Sequence, residues 1–171
     1  GRRIDTTAIV KQLAAQLPGL TAVIGVGKVP DTLSWEELTA AVAPLEFVAL
    51  PFDHPVYVLY SSGTTGPPKG IVHGAGGTLL QHLKEHLLHT DLHRDDRLFY
   101  FTTCGWMMWN WLVTGLASGA TLVLYDGSPT QPDYTALWRM ADEEGITVFG
   151  TSARFLAGLA KSGVRPRDAC R

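Results

Sequence analysis

Val56-Tyr57-Val58-Leu59-Tyr60-Ser61-Ser62-Gly63-Thr64-Thr65-Gly66-Pro67-Pro68-Lys69-Gly70 joins an apolar, β-branched and aromatic run to a loop of hydroxyls, glycines and one lysine. Residues 56–60 suit a buried strand. The loop at their carboxyl end has the parts of an anion cradle. Gly63, Gly66 and Gly70 let the backbone turn with positive φ and bring several N–H groups to one phosphate. Ser61, Ser62, Thr64 and Thr65 add hydroxyl donors, and Lys69 adds a compact positive charge. In an α/β sheet, a loop following a strand in this way lies where ligands bind. The plainer reading of the same residues is a surface turn.

Toward the N-terminus, Ile9, Leu13 and Leu17 recur every four residues after Asp5, which marks one face of a helix stopped by Pro18-Gly19. Residues 21–25 read as a short strand. Ser34 and Glu37 have the spacing of a capping box, which predicts a helix over 35–42 closed by Pro44. Beyond the loop, helices are predicted over 77–89, 107–116, 132–145 and 153–161, with strands over 97–102, 120–125 and 146–149. Strands alternating with helices imply right-handed βαβ crossovers. The fold class is therefore α/β, with a largely parallel sheet carrying helices on both faces. No internal repeat or low-complexity tract interrupts this pattern.

With 171 residues, 46% of them hydrophobic, the chain can bury a real core as one domain or a large part of one. A formal net charge of -2 gives no broad attraction to nucleic acid or to an anionic membrane. No apolar run reaches the roughly 20 residues of a membrane span, and the N-terminus lacks a signal-peptide core. Cys104 and Cys170 lie far apart and outside any CxxC pair, which fits a reducing, cytosolic setting. The chain starts at Gly1 without an initiator methionine and stops at Arg171 just after a helical pattern, as an internal segment would.

Other motifs compete for the chemistry. The only Gly-Lys pair, Gly27-Lys28, is followed by Val29, so no Walker A loop is present, and Pro30 stands where a Gly25-Val26-Gly27 dinucleotide fingerprint needs its third glycine. His82-Leu83-Lys84-Glu85-His86 has the His-x-x-Glu-His pattern of inverted zinc hydrolases, with both imidazoles on one helical face. It lacks an evident third ligand, and a partly solvated histidine-rich face is the plainer reading, which leaves a zinc hydrolase as a remote alternative. His73-Gly74-Ala75-Gly76-Gly77 has the look of a lipase oxyanion loop. Its companion elbow, Gly150-Thr151-Ser152-Ala153-Arg154, lacks the closing glycine.

The run from Tyr60 through Gly70 resembles the signature loop of the adenylate-forming ligases, a family that includes acyl-CoA synthetases, luciferases and nonribosomal-peptide adenylation domains. Further stretches extend the likeness, among them Pro51-Phe52-Asp53-His54-Pro55, Ile71-Val72-His73-Gly74-Ala75-Gly76-Gly77, Thr102-Thr103-Cys104-Gly105-Trp106-Met107-Met108-Trp109-Asn110, Val123-Leu124-Tyr125-Asp126-Gly127-Ser128-Pro129 and Phe149-Gly150-Thr151-Ser152-Ala153. Within the family they are most similar to the branch that activates acetoacetate. The likeness weakens before Leu45.

That resemblance implies an incomplete part of the N-terminal adenylation domain of an AMP-forming acid–thiol ligase, spanning residues 1–171. It implies ATP, Mg2+ and CoA as co-substrates and acetoacetate as the acid. Ser61, Ser62, Gly63, Thr64, Thr65, Gly66 and Lys69 become the nucleotide contacts. Trp106, Met107 and Met108 become the acyl-pocket residues. Methionine adapts its shape to small ligands, and the Asn110 amide is suited to a keto oxygen. The family's adenine, ribose, magnesium and hinge segments and its mobile C-terminal domain follow the region matched here. No catalytic residue is therefore assigned, and the isolated chain is expected to be inactive in adenylation. Another short-chain acid as substrate, or a nucleotide-binding module without chemistry, remain the alternatives.

Overall fold

The computed structural model describes residues 5–61 and 66–170, and the chain divides into two units, residues 1–49 and 50–171. The first unit holds α1 (Thr7–Gln16), β1 (Ile24–Gly25), β2 (Leu33–Ser34) and α2 (Trp35–Thr39). β1 and β2 pair in parallel, so the strand foreseen over 21–25 keeps only its last two residues. Gly25 is buried at this pairing, where a Cβ would lie 2.2 Å from Thr32 Oγ1. The capping box forms by half. Ser34 Oγ accepts the Glu37 N–H at 3.3 Å, but its hydroxyl donates to Glu36 at 2.9 Å. The other Glu36 oxygen accepts the Gly27 N–H at 3.1 Å, so this carboxylate ties the helix start back to the preceding loop.

The second unit opens with an antiparallel hairpin of β3 (Pro55–Ser61) and β4 (Lys69–Gly74). It continues through α3 (Ala75–Lys84), which runs into a π-helical turn at Glu85–His89, then β5 (Arg97–Tyr100) and α4 (Met107–Thr114). α4 tightens into a 3-10 turn at Gly115–Ser118. β6 (Thr121–Val123), α5 (Ala136–Glu143), β7 (Val148–Gly150) and α6 (Ala153–Ser162) follow.

β5, β6 and β7 form a parallel sheet in the order β6-β5-β7. Successive strand residues point to opposite faces, and the central strand uses this to found two cores. Leu98 is fully buried with Leu92, Leu112 and Ala120 on one face, where α4 packs. Phe99 is buried with Leu137 and Phe155 on the other, where α5 and α6 pack. Helices thus cover both faces of a parallel sheet, as the alternating pattern requires. Each fully buried Leu or Phe stabilises the fold by roughly 1.5–3 kcal/mol. At the sheet's entry Thr147 Oγ1 accepts the Arg97 N–H at 2.9 Å and donates to Asp96 at 2.7 Å, which holds β5 and β7 in register.

Two expectations change. Residues 56–60 form a strand that is exposed or half-buried rather than buried, because a two-stranded hairpin offers packing on at most one face. Its antiparallel partner β4 falls on residues that read as loop, so the chain leaves β3 through a hairpin and not through a crossover.

Candidate functional site

The hairpin register sets where the loop begins and ends. Ser61 pairs with Lys69, Tyr60 with Gly70, Leu59 with Ile71 and Val58 with Val72. Ser61 is half-buried, while Gly66 and Lys69 are exposed. Among the described residues, nothing comes within 4 Å of a notional Cβ at Gly66. Ser62, Gly63, Thr64 and Thr65, four of the seven predicted nucleotide contacts, lie outside the described residues.

Beside the end of β3 is a cavity of about 620 Å³. Tyr60 and Ser61 line it from the strand, and Cys104, Trp106, Met107 and Asn110 line it from the start of α4. α4 begins here because Trp106 is extended, with ψ of 146°, and its carbonyl accepts the Trp109 N–H at 3.0 Å. The structure therefore brings Trp106 and Met107 to the hairpin end that carries Ser61. Met108, one residue on and about 100° around the helix, is half-buried and outside this lining. Trp109 points elsewhere too: it packs on the Leu98 core and lines a second cavity, of about 520 Å³, at the carboxyl ends of β5 and β6.

Cys104 borders both cavities. Nothing in the residue types singled it out as a site residue. Its only signal is its place just past the carboxyl end of a central parallel strand. Tyr125 and Asp126, which line the second cavity after β6, share that signal.

The rival motifs are used otherwise. Gly74 caps α3, and the helix's first N–H groups are spent at once: Ala75 donates to the His54 carbonyl and Gly76 to the Phe52 carbonyl, both at 2.8 Å. They form no oxyanion hole. Ser152, the candidate elbow nucleophile, is the N-cap of α6 and accepts the Phe155 N–H at 3.1 Å. His82 Nδ1 lies 2.9 Å from Thr114 Oγ1, and His86 Nε2 lies 2.9 Å from the Trp111 carbonyl. Each imidazole thus has a nitrogen engaged with α4. Burial pushes both below the ordinary histidine pKa; His86 and His73 lower His82 further against Glu85, while at His86 the bond to the Trp111 carbonyl and then Glu85 oppose the shift. Among the described residues, no three His, Cys, Asp or Glu side chains are placed to hold a metal ion, and no helix is long and apolar enough to cross a membrane.

A profile of the AMP-binding enzyme family matches residues 2–169. The acetoacetyl-CoA synthetase of Gallus gallus is 53% identical over 148 residues, covering 84% of this chain and 22% of its own length. A malonamoyl-CoA synthetase of Penicillium aethiopicum is 56% identical over 134 residues, covering 72% of this chain and 18% of its own. Among solved structures, the acetoacetyl-CoA synthetase from Streptomyces lividans superposes with a TM-score of 0.89 at 50% identity, over 98% of this chain and 27% of that one. The chain thus spans between about a fifth and just over a quarter of the length of these relatives.

Proposed function

We propose that this chain, which belongs to the AMP-binding enzyme family, supplies the phosphate loop and acyl cavity of an AMP-forming acid–CoA ligase acting on a short β-carbonyl acid, acetoacetate first. The observation that carries the reading is the cavity shared by Ser61 with Trp106, Met107 and Asn110. It sets an apolar wall with one amide directly beside the start of an anion-binding loop.

In this reading an acid carboxylate oxygen attacks the α-phosphorus of ATP, the bond to the β-phosphate oxygen breaks, and pyrophosphate leaves. The thiol of CoA then adds at the acyl carbon, loses its proton, and expels AMP to leave the thioester. Ser61, Ser62, Gly63, Thr64, Thr65, Gly66 and Lys69 hold the β- and γ-phosphates and stabilise charge that moves onto pyrophosphate. Trp106, Met107 and Asn110 hold the acid, so that two anions meet in a fixed orientation despite their repulsion. Magnesium enters only as the companion of the ATP phosphates. Among the described residues no three His, Cys, Asp or Glu side chains gather into a metal cage, and no step is assigned to it.

The chemistry of the named relatives supports one class of acyl group. Acetoacetyl and malonamoyl groups share a β-carbonyl and differ only in a terminal methyl or amino group, and relatives named for each match this chain at similar identity. An apolar pocket separates such near-isosteres weakly, at about 1–3 kcal/mol per group. Malonamate is accordingly the second reading. The test is acid-dependent exchange of pyrophosphate into ATP, using a full-length form in which this chain is continued to the length of its relatives. Acetoacetate or malonamate should support exchange at least tenfold faster than butyrate. Equal rates with butyrate would remove the β-carbonyl assignment, and no exchange with any acid would remove the ligase reading.

A further inference from the structure

The motif His82-Leu83-Lys84-Glu85-His86 has no part in phosphate or acid binding, yet His86 is completely buried. It sits in the π-helical turn, where the Thr90 N–H reaches back five residues to the Glu85 carbonyl at 2.9 Å. Such a wide turn changes which residues face the neighbouring helix and is common near functional sites. The His86 ring lies against the Trp111 indole with centroids 4.3 Å apart.

The partners settle both tautomers. A carbonyl can only accept, so His86 carries its proton on Nε2 and donates to Trp111. That carbonyl has lost its helical donor. The Gly115 N–H, which a continuing α-helix would give to Trp111, goes to Leu112 and Val113 as α4 tightens. The Thr114 hydroxyl spends its single proton on the Asn110 carbonyl at 2.7 Å, so His82 must donate to it from Nδ1. Each ring thus donates from the nitrogen that faces α4, and burial favours the neutral form of both, in which the two tautomers are opposite. His86 Nδ1 is left buried without a partner. Glu85 and His73 are the charged or titratable neighbours acting on the pair, and α4 itself carries none.

We infer that His86 is a positioning residue for the acyl cavity: it fixes α4 through the Trp111 carbonyl while His82, through Thr114, holds the turn at Asn110. Together they set where Met107 and Asn110 stand against the acid. An apolar side chain at 86 would bury as much surface but could not satisfy that carbonyl or specify one placement of the helix. The inference rests on the acyl-cavity reading above.

The test compares His86→Leu, which removes the donor, with His86→Gln, whose amide nitrogen reaches the same position, in the full-length form. His86→Leu should raise the KM for the acid about tenfold with the KM for ATP changed less than about twofold, and His86→Gln should restore most of the loss. Met107→Trp serves as the control for the cavity itself. If Met107→Trp blocks acid turnover but His86→Leu leaves the acid KM unchanged, or raises both KM values without rescue by glutamine, the positioning role is wrong. If Met107→Trp is without effect, the cavity reading fails instead. Should His86→Leu not fold, 15N shifts of labelled histidines in the unaltered protein decide: Nε2–H at His86 with Nδ1–H at His82 supports the inference, and any other tautomer pair overturns it.

Discussion

Ser61 and Lys69 are cross-strand partners at the last described register position of the β3–β4 hairpin. The ladder that closes the hairpin therefore also places both ends of the proposed phosphate loop, and the lysine rises from a strand.

Replacing Lys69 with alanine should accordingly affect the nucleotide alone. A charged hydrogen bond to phosphate contributes about 1.5–3 kcal/mol, so the KM for Mg-ATP in the full-length form should rise roughly tenfold to hundredfold. The acid KM should stay within about twofold. Because Lys69 is exposed, thermal stability should hardly change. Initial-rate kinetics with each substrate varied in turn checks this, and an unaltered ATP KM would remove Lys69 from the contact set.

The two methionines should part company. Met107→Trp fills the cavity beside Asn110 and should lower kcat/KM for the acid at least a hundredfold while leaving ATP binding intact. Met108→Ala should do the reverse. It removes a half-buried side chain, costing about 1–2 kcal/mol of stability, with little change in acid KM. Denaturant unfolding alongside steady-state kinetics separates the two effects, and equal kinetic penalties would place both side chains at the acid.

How far the sequence led can be judged from these same residues. The alternation of strands and helices announced a parallel sheet between two helical layers, with a strand over 97–102, and β5 forms there with Leu98 and Phe99 buried on opposite faces. β4 was hidden because Ile71 and Val72 are its only strong strand formers and glycines flank them, so its strand character comes from pairing with β3. The cavity joins residues 58–61 to residues 104–110, a meeting that periodicity cannot report. The sequence placed Met107 and Met108 together as neighbours, whereas a helix turns about 100° between them and gives the cavity only one. His82 and His86 were legible as one helical face. Their partners, Thr114 and Trp111, lie on another helix and were not.

Those partners also predict how stability responds to acid. Burial holds both imidazoles below their ordinary pKa in the folded protein, while in the unfolded chain they titrate near roughly 6.5. As the pH falls through that value, the unfolded chain takes up protons that the folded one refuses. Stability is therefore full above about pH 6.5 and declines as the pH drops toward the folded pKa values. The carboxylates with lowered pKa, such as Asp96 and Asp133, act in a separate window, since their contribution is lost only below their unfolded values of about 4. Melting temperatures at pH 7.5, 6.5 and 5.5 should fall for the unaltered protein and fall less for His86→Gln, which keeps the donor to Trp111 but cannot be protonated. Parallel curves would mean that His86 does not take up its proton on unfolding in this range, and the neutral Nε2–H donor assigned to the α4 junction would have to be abandoned.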